Sequence, residues 1–370
     1  MDADPLPDVG DVRAAGNVAL HRIVVPLRRP FRTALRSVTD LDTLIVEVTD
    51  GNGDRGWGEA AAVSAVTGQD QRRVAAMLLG PVAATLSDAL LEDPEAASRT
   101  LGQVAAAVPA AANAVCTALL DLEARRHALP AHRLLGARTD HLTTTVTIAR
   151  DDPSAMAHDA AARAATGFTR LKLKLGGDDP RTDLDRIRAV ADTTVGCRLL
   201  LDANQGWERV SADDCVAAIL AEGYPVEALE QPLAARDLSG AAALRGQLAG
   251  TGIELVADES VFSLADAHAV LDAGAADRIN VKLAKAGGPV AARQILQLTR
   301  ERGIATMVGC MLESPLGVAA AAAVALAEGV STCDLDAPLL LARSPVSGGP
   351  HLDGPRLTVS TAPGFGCSPP

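Results

Sequence analysis

The chain has 370 residues, 48% of them hydrophobic and 22% charged, with a formal net charge of −12; that is the composition of a globular protein with room for one large domain and a smaller one. The acidic balance, with no basic stripe interleaved with aromatics, argues against nucleic acid as a partner, and the longest small-apolar run, LGVAAAAAVALA at 316–327, is too short to span a bilayer. Six scattered cysteines without a CxxC pair, and an N-terminal MDADPLPDVG lacking the basic and apolar regions of a signal peptide, point to reduced thiols in a cytoplasmic protein.

Residues 1–16 read as a flexible leader. From His21 to about Trp57 the pattern is β-rich: HRIVVPL, DTLIVEVTD, then GNGDRGWGEA with hairpin-type glycines. From about Asp70 to Leu135 the chain is Ala-rich and helical in composition, with Pro109 as a breaker. Strands followed by a run of helices predict a separate α+β domain over 1–137.

Beyond Arg138 strand and helix alternate. Candidate strands begin at 143 (TTTVTIA), 171 (LKLKLG), 198 (RLLLDAN), 226 (VEALEQP), 254 (ELVADES), 278 (RINVKLA), 305 (ATMVGCM) and 332 (TCDLDAP). The spacings of 28, 27, 28, 28, 24, 27 and 27 residues are those of a TIM barrel of βα units. An open doubly wound sheet alternates too, but it calls for a switch point and commonly a glycine-rich first turn. No GxGxxG follows any of these strands. The expected fold is therefore α/β, a barrel over 138–340 beside the smaller domain.

In a barrel the chemistry gathers at the C-terminal ends of the strands. Those ends carry Lys172 and Lys174, Asp202, Glu230, Asp258, Lys282, the Cys310–Met311 pair, then Asp334 and Asp336. Asp202, Glu230 and Asp258 close three consecutive strands at intervals of 28 residues. With neighbouring strands about 4.8 Å apart, their carboxylates can surround one point. Hard oxygen ligands of this kind suit Mg2+. Each acid alone could instead cap the following helix; three at matched depth favour the metal.

The lysines of LKLKL follow from the same geometry. A barrel strand has no open water face, so Lys172 and Lys174 point inward. Lys174 and Lys282 lie four strands apart in a ring of eight and face each other across the mouth. Two bases on opposite sides of a carbon can remove and return a proton from either face, as a racemase or epimerase requires. Lysine ordinarily titrates near 10.4; a neighbouring ammonium, a metal and burial are expected to push such a base below that value.

With KLK at 172–174, DANQGW at 202–207, EQP at 230–232, ADES at 257–260 and NVKLAKAGG at 280–288, the chain resembles the enolase superfamily in its muconate-lactonizing-enzyme branch. PLRRPFRTALRSV and GWGEA extend the resemblance into the first domain. It implies a (β/α)7β barrel whose mouth the first domain caps, with residues 341–370 returning to that cap. It also implies Mg2+ on Asp202, Glu230 and Asp258, with Lys174 and Lys282 exchanging a proton next to a carboxylate through a metal-stabilised enediolate. None of the seven histidines lies at a strand end, which disfavours the branch using a His–Asp dyad.

CDLDAP looks like the DxD motif with which dipeptide epimerases hold the substrate ammonium, here Asp334 and Asp336. Two carboxylates beside a metal site call for a cation, and a dipeptide N-terminus supplies one. GCMLES, with Met311 as a substrate contact, is similar to the same family. Arg36 in TALRS falls where epimerases acting on Ala-Glu place an arginine for the glutamate carboxylate; the alternative is a plain surface arginine. Lys172 is implied to help hold the substrate carboxylate and Thr147 to hydrogen-bond it. Some acidic-dipeptide epimerases carry a lysine where this chain has Pro315, which leaves the second residue of the dipeptide open. The resulting expectation is a Mg2+-dependent dipeptide epimerase with L-Ala-D/L-Glu as first substrate, a homo-oligomer with no membrane partner. An N-succinylamino acid racemase, an o-succinylbenzoate synthase and a non-catalytic metal-binding barrel are the alternatives.

Overall fold

A computed structural model describes residues 8–177 and 179–369. Val12–Ala15 (β1), Val18–Arg32 (β2), Ser37–Thr49 (β3) and Arg55–Ala60 (β4) form an antiparallel sheet in chain order. The leader expected to be flexible is thus in part a strand: β1 pairs with β2 from Val12↔His21 to Ala15↔Val18, which the alternating VRAA and VALH segments permit. Residues 1–7 of that leader lie outside the described residues.

The helix Pro109–Arg126 packs across this sheet. Pro109 begins it, at a position where a missing N–H costs nothing. Contact with β4 is backbone to backbone. A Cβ on Gly56 would lie 2.1 Å from the Ala118 carbonyl oxygen, and one on Gly58 2.0 Å from that of Ala114. An alanine-rich helix and a glycine-bearing strand can approach this closely, and the core needs no large aromatics.

His141–Thr143 (β5) is followed by eight parallel strands in chain order: Val146–Ile148 (β6), Arg170–Lys174 (β7), Arg198–Asp202 (β8), Val226–Glu230 (β9), Glu254–Ala257 (β10), Arg278–Lys282 (β11), Ala305–Gly309 (β12) and Cys333–Asp334 (β13). Thr144 bridges Cys333 across the seam, and the Thr145 N–H donates to the Cys333 carbonyl at 2.9 Å. Helices fill the seven connections, and a 3-10 turn, Ala337–Leu340, follows β13. This is the (β/α)7β barrel. The stretch expected to be one strand at 143–149 is divided, because β5 pairs with Arg356–Thr358 of the C-terminal segment while β6 enters the barrel.

Alternation along each strand sorts the interior. Leu200, Ala228, Val256 and Met307 meet as a small apolar plug. One pleat further along the same strands stand Asp202, Glu230 and Asp258, while Lys172 lies in register with Leu200 of the plug. The C-terminal segment returns to the first domain: the Phe365 N–H donates to Asp121 at 2.7 Å, Arg125 to the Cys367 carbonyl at 2.7 Å, and Leu341 bridges Leu27.

Candidate active site

Asp202 is the last residue of β8, Glu230 the last of β9, and Asp258 immediately follows β10. All three are at most 1% exposed. Their ligand oxygens lie within 4.8 Å of one another. None caps the following helix, where Glu208, Asp237 and Ser263 stand instead. Glu230 Oε2 is buried with no hydrogen-bond partner. Three converging carboxylates, one with an orphaned oxygen, fit a hard divalent cation.

Four ammonium groups surround this triad. Lys174 Nζ donates to Asp202 at 2.6 Å and Lys282 Nζ to Asp258 at 2.7 Å. Lys172, fully buried, meets Asp334 at 2.7 Å, Glu230 at 2.9 Å and Asp202 at 3.2 Å. Lys285 holds Asp258 Oδ1 at 2.6 Å and also donates to the Asp258 carbonyl. Gly309, beside Lys282 on β12, makes room: a Cβ there would sit 2.6 Å from Asn280 Oδ1 and 3.1 Å from Lys282 Cε.

Electrostatics follow from this packing. Burial acts to lower the pKa of Lys282, but the Asp258 carboxylate outweighs it and holds the ammonium above its usual range. Burial and Lys172 act in the expected downward direction, and the facing Asp258 carboxylate, one of the three acids that would hold the metal, opposes them. Burial is likewise outweighed at Lys172, raised by Asp334, Glu230 and Asp202. Burial would raise Asp202, but Lys174 and Lys172 bring it down. Asp336 is pushed up to about 6 by burial and then by Asp334.

One cavity collects most of the expected residues. Lys174, Lys282, Asp258, Asp334, Asp336, Thr147 and Met311 line it from the barrel. Arg36, with Phe31, Thr33 and Leu35, closes it from the first domain. Arg36 makes no ion pair or hydrogen bond with another side chain among the described residues. Asp202, Glu230 and Lys172 lie beneath the cavity floor. Lys172, expected to hold a substrate carboxylate, has its ammonium taken by acids. Thr147, expected to bind the same group, gives its N–H and Oγ1 to Asp336 at 2.6 and 3.3 Å.

Sequence reasoning passed over several residues that sit inside its own motifs. Asn280 donates to Glu230 at 2.9 Å, and Asn204 to Glu259 at 3.0 Å. Burial, then Asp258, pushes Glu259 up to about 8. The N of NVKLAKAGG and its second K were signal enough for Asn280 and Lys285. A further missed feature joins the two domains. Glu59, at the end of β4, accepts from the Ser314 N–H at 2.9 Å, Ser314 Oγ at 2.5 Å and the Gly317 N–H at 3.0 Å, at the N-terminus of helix Pro315–Glu328. Beside it Glu313 is pushed up to about 8 by burial and then by Glu59, and it accepts from the Met311 N–H at 3.0 Å. No helix of the described residues is long and apolar enough to cross a membrane.

Comparison with known proteins matches residues 155–369 to the enolase C-terminal domain-like family and residues 17–136 to the mandelate racemase/muconate lactonizing enzyme N-terminal domain. The L-Ala-D/L-Glu epimerase of Clostridium acetobutylicum is 34% identical over 353 residues, covering 95% of this chain and 97% of that one. A substrate-liganded structure of the L-Ala-D/L-Glu epimerase from Bacillus subtilis superposes with a TM-score of 0.91 at 34% identity, over 96% of this chain and 99% of that one. The dipeptide epimerase of Enterococcus faecalis, complexed with Mg and L-Leu-L-Tyr, gives 0.89 at 31% identity, over 96% and 100%.

Proposed function

This chain belongs to the enolase superfamily, in the mandelate racemase/muconate lactonizing enzyme family, and from that premise we propose that it is a Mg2+-dependent dipeptide epimerase. It inverts the α-carbon of the C-terminal residue, with L-Ala-D/L-Glu as the first substrate. The observation that carries the reading is the pair of lysines on β7 and β11, each against a carboxylate of one buried acidic triad. The likeness to dipeptide epimerases over nearly the whole chain supports it.

Asp202, Glu230 and Asp258 would hold Mg2+, which when bound stabilises negative charge developing on the substrate carboxylate as the α-proton leaves. Lys174 Nζ takes that proton on one face and Lys282 Nζ delivers one on the other; in the reverse direction the two exchange roles. Lys172 fixes Glu230, Asp202 and Asp334 from below. Asp334 and Asp336 anchor the substrate ammonium, with Asp336 oriented by Thr147. Arg36, without a carboxylate of its own, pairs with the glutamate side chain, and Met311 contributes apolar wall. Six free cysteines support a cytoplasmic location, and a symmetric homo-oligomer is the general expectation.

Proton NMR of L-Ala-L-Glu with enzyme and Mg2+ in D2O tests the reading. Loss of the glutamate α-proton signal with growth of a second diastereomer, stopped by EDTA, is the expected result. Exchange only in N-succinylamino acids would overturn the roles of Asp334 and Asp336.

A further inference from the structure

A second cavity adjoins the one described above, and the two share a wall of Phe31, Thr147 and Leu340. Thr147 is also the residue that grips Asp336. Behind the wall stand Arg28, Arg29, Arg32 and Arg163, facing Asp151 and Asp159. Four guanidiniums meet two carboxylates. Asp159 is shared by Arg29 and, at 3.6 Å, Arg163, while Arg32 takes Asp151 at 2.6 Å. Arg28, exposed at the rim, has no side-chain partner among the described residues. In a chain of net charge −12, this local excess of positive charge runs against the whole.

Resting on the dipeptide reading, we propose that this annex receives a side-chain carboxylate from the substrate's N-terminal residue, with Arg28 as its counter-ion. The enzyme then selects dipeptides that are acidic at both positions. An ammonium held at Asp336 puts the first α-carbon beside Thr147, at the shared wall. The carboxylate of a glutamate side chain reaches roughly 4–5 Å from its α-carbon, given bonds of about 1.5 Å; in this proposal it passes between the side chains of Phe31 and Leu340, which border both cavities. Arg28 then gains the bidentate partner it lacks. The second position is left to Arg36.

The test compares L-Glu-L-Glu with L-Gln-L-Glu, which differ by one charge at nearly equal shape. The expected ratio of kcat/KM is about fivefold in favour of L-Glu-L-Glu, the scale of a partly exposed ion pair. It falls toward one in Arg28→Ser and is largely kept in Arg28→Lys. Calorimetric binding of the two peptides with Mg2+ present reads the same preference apart from turnover, so the annex is tested even if neither peptide is epimerised. A ratio near one in the unmodified enzyme by both measurements, or one that Arg28→Ser leaves unchanged, overturns the proposal. Epimerisation of L-Ala-L-Glu with no first-position preference would sink the annex and leave the epimerase reading intact.

Discussion

On the barrel side of the cavity, Lys172, Lys174, Lys282 and Lys285 each hold a carboxylate within 2.7 Å. On the cap side Arg36 and Arg28 hold none among the described residues. Burying charges costs several kcal/mol per ion even when they are paired, and packed apolar side chains are often as stable. The plug of Leu200, Ala228 and Val256, one layer down the strands that carry the three acids, with Met307 of β12, is that cheaper solution. A charged layer above an apolar one is therefore hard to explain by stability, and its mutual pairing fixes each group in place before substrate arrives. These two cap cations are bare and so remain available to a ligand, unlike Arg29 and Arg32 beside them. On the proposed reading the two sides divide the labour: chemistry below, selection above.

The sharpest way to break this division is through the lysines. Lys174→Ala and Lys282→Ala should each lower kcat for epimerisation by about 10²–10⁴-fold, with any residual deuterium wash-in confined to one diastereomer by NMR. Full activity in either variant would remove the two-base assignment. Asn280→Ala tests the support beneath: by releasing Glu230 it should weaken Mg2+ affinity about 10–100-fold in a calorimetric titration. On the other wall, Arg36→Met should reduce kcat/KM for L-Ala-L-Glu about 10–100-fold, with much less effect on L-Ala-L-Ala. If both peptides suffered equally, Arg36 would belong to the chemistry and the comparison would fail.

The smallest effect lies between the domains. Glu313, pushed up to about 8 by burial and Glu59, stays protonated in the fold at neutral pH, whereas the unfolded chain ionises it at its ordinary value. The folded state binds the extra proton, so this group's contribution to stability is lost as pH rises from about 4.5 to about 8. Glu313→Gln should flatten that decline, raising Tm at pH 9 by a few degrees relative to the parent and changing it little at pH 5. A parallel pH dependence in the two proteins would show that Glu313 ionises without penalty.

Much of this arrangement was legible because strand periodicity is a local signal. LKLKL, LLLD and EALE announce an inward face and a carboxylate at its end before any partner is known. Helix caps could have explained the acids, and only the positions of Glu208, Asp237 and Ser263 removed that reading. What stayed illegible depends on partners distant in sequence. Nothing in TTTVTIA says that His141–Thr143 will pair with Arg356–Thr358. Likewise, the charges that repel an ammonium at Lys282 are readable from the strand ends, while the carboxylate that faces it comes from another strand, Asp258. The place of Thr147 at the mouth is visible in the sequence, and its engagement with Asp336 is not.

The grip of Glu59 on Ser314 and Gly317 has a consequence for protein engineering. Its three donors lie 255 and 258 residues further along the chain, and the loop they anchor carries Met311 and Leu312 into the cavity. A chimera that takes residues up to about 137 from another protein therefore exchanges more than a lid. Unless the graft brings a carboxylate to position 59, it strips the start of helix Pro315–Glu328 of its buried acceptor and loosens a wall of the pocket it was meant to retain. Specificity in this molecule is portable only together with that one acid.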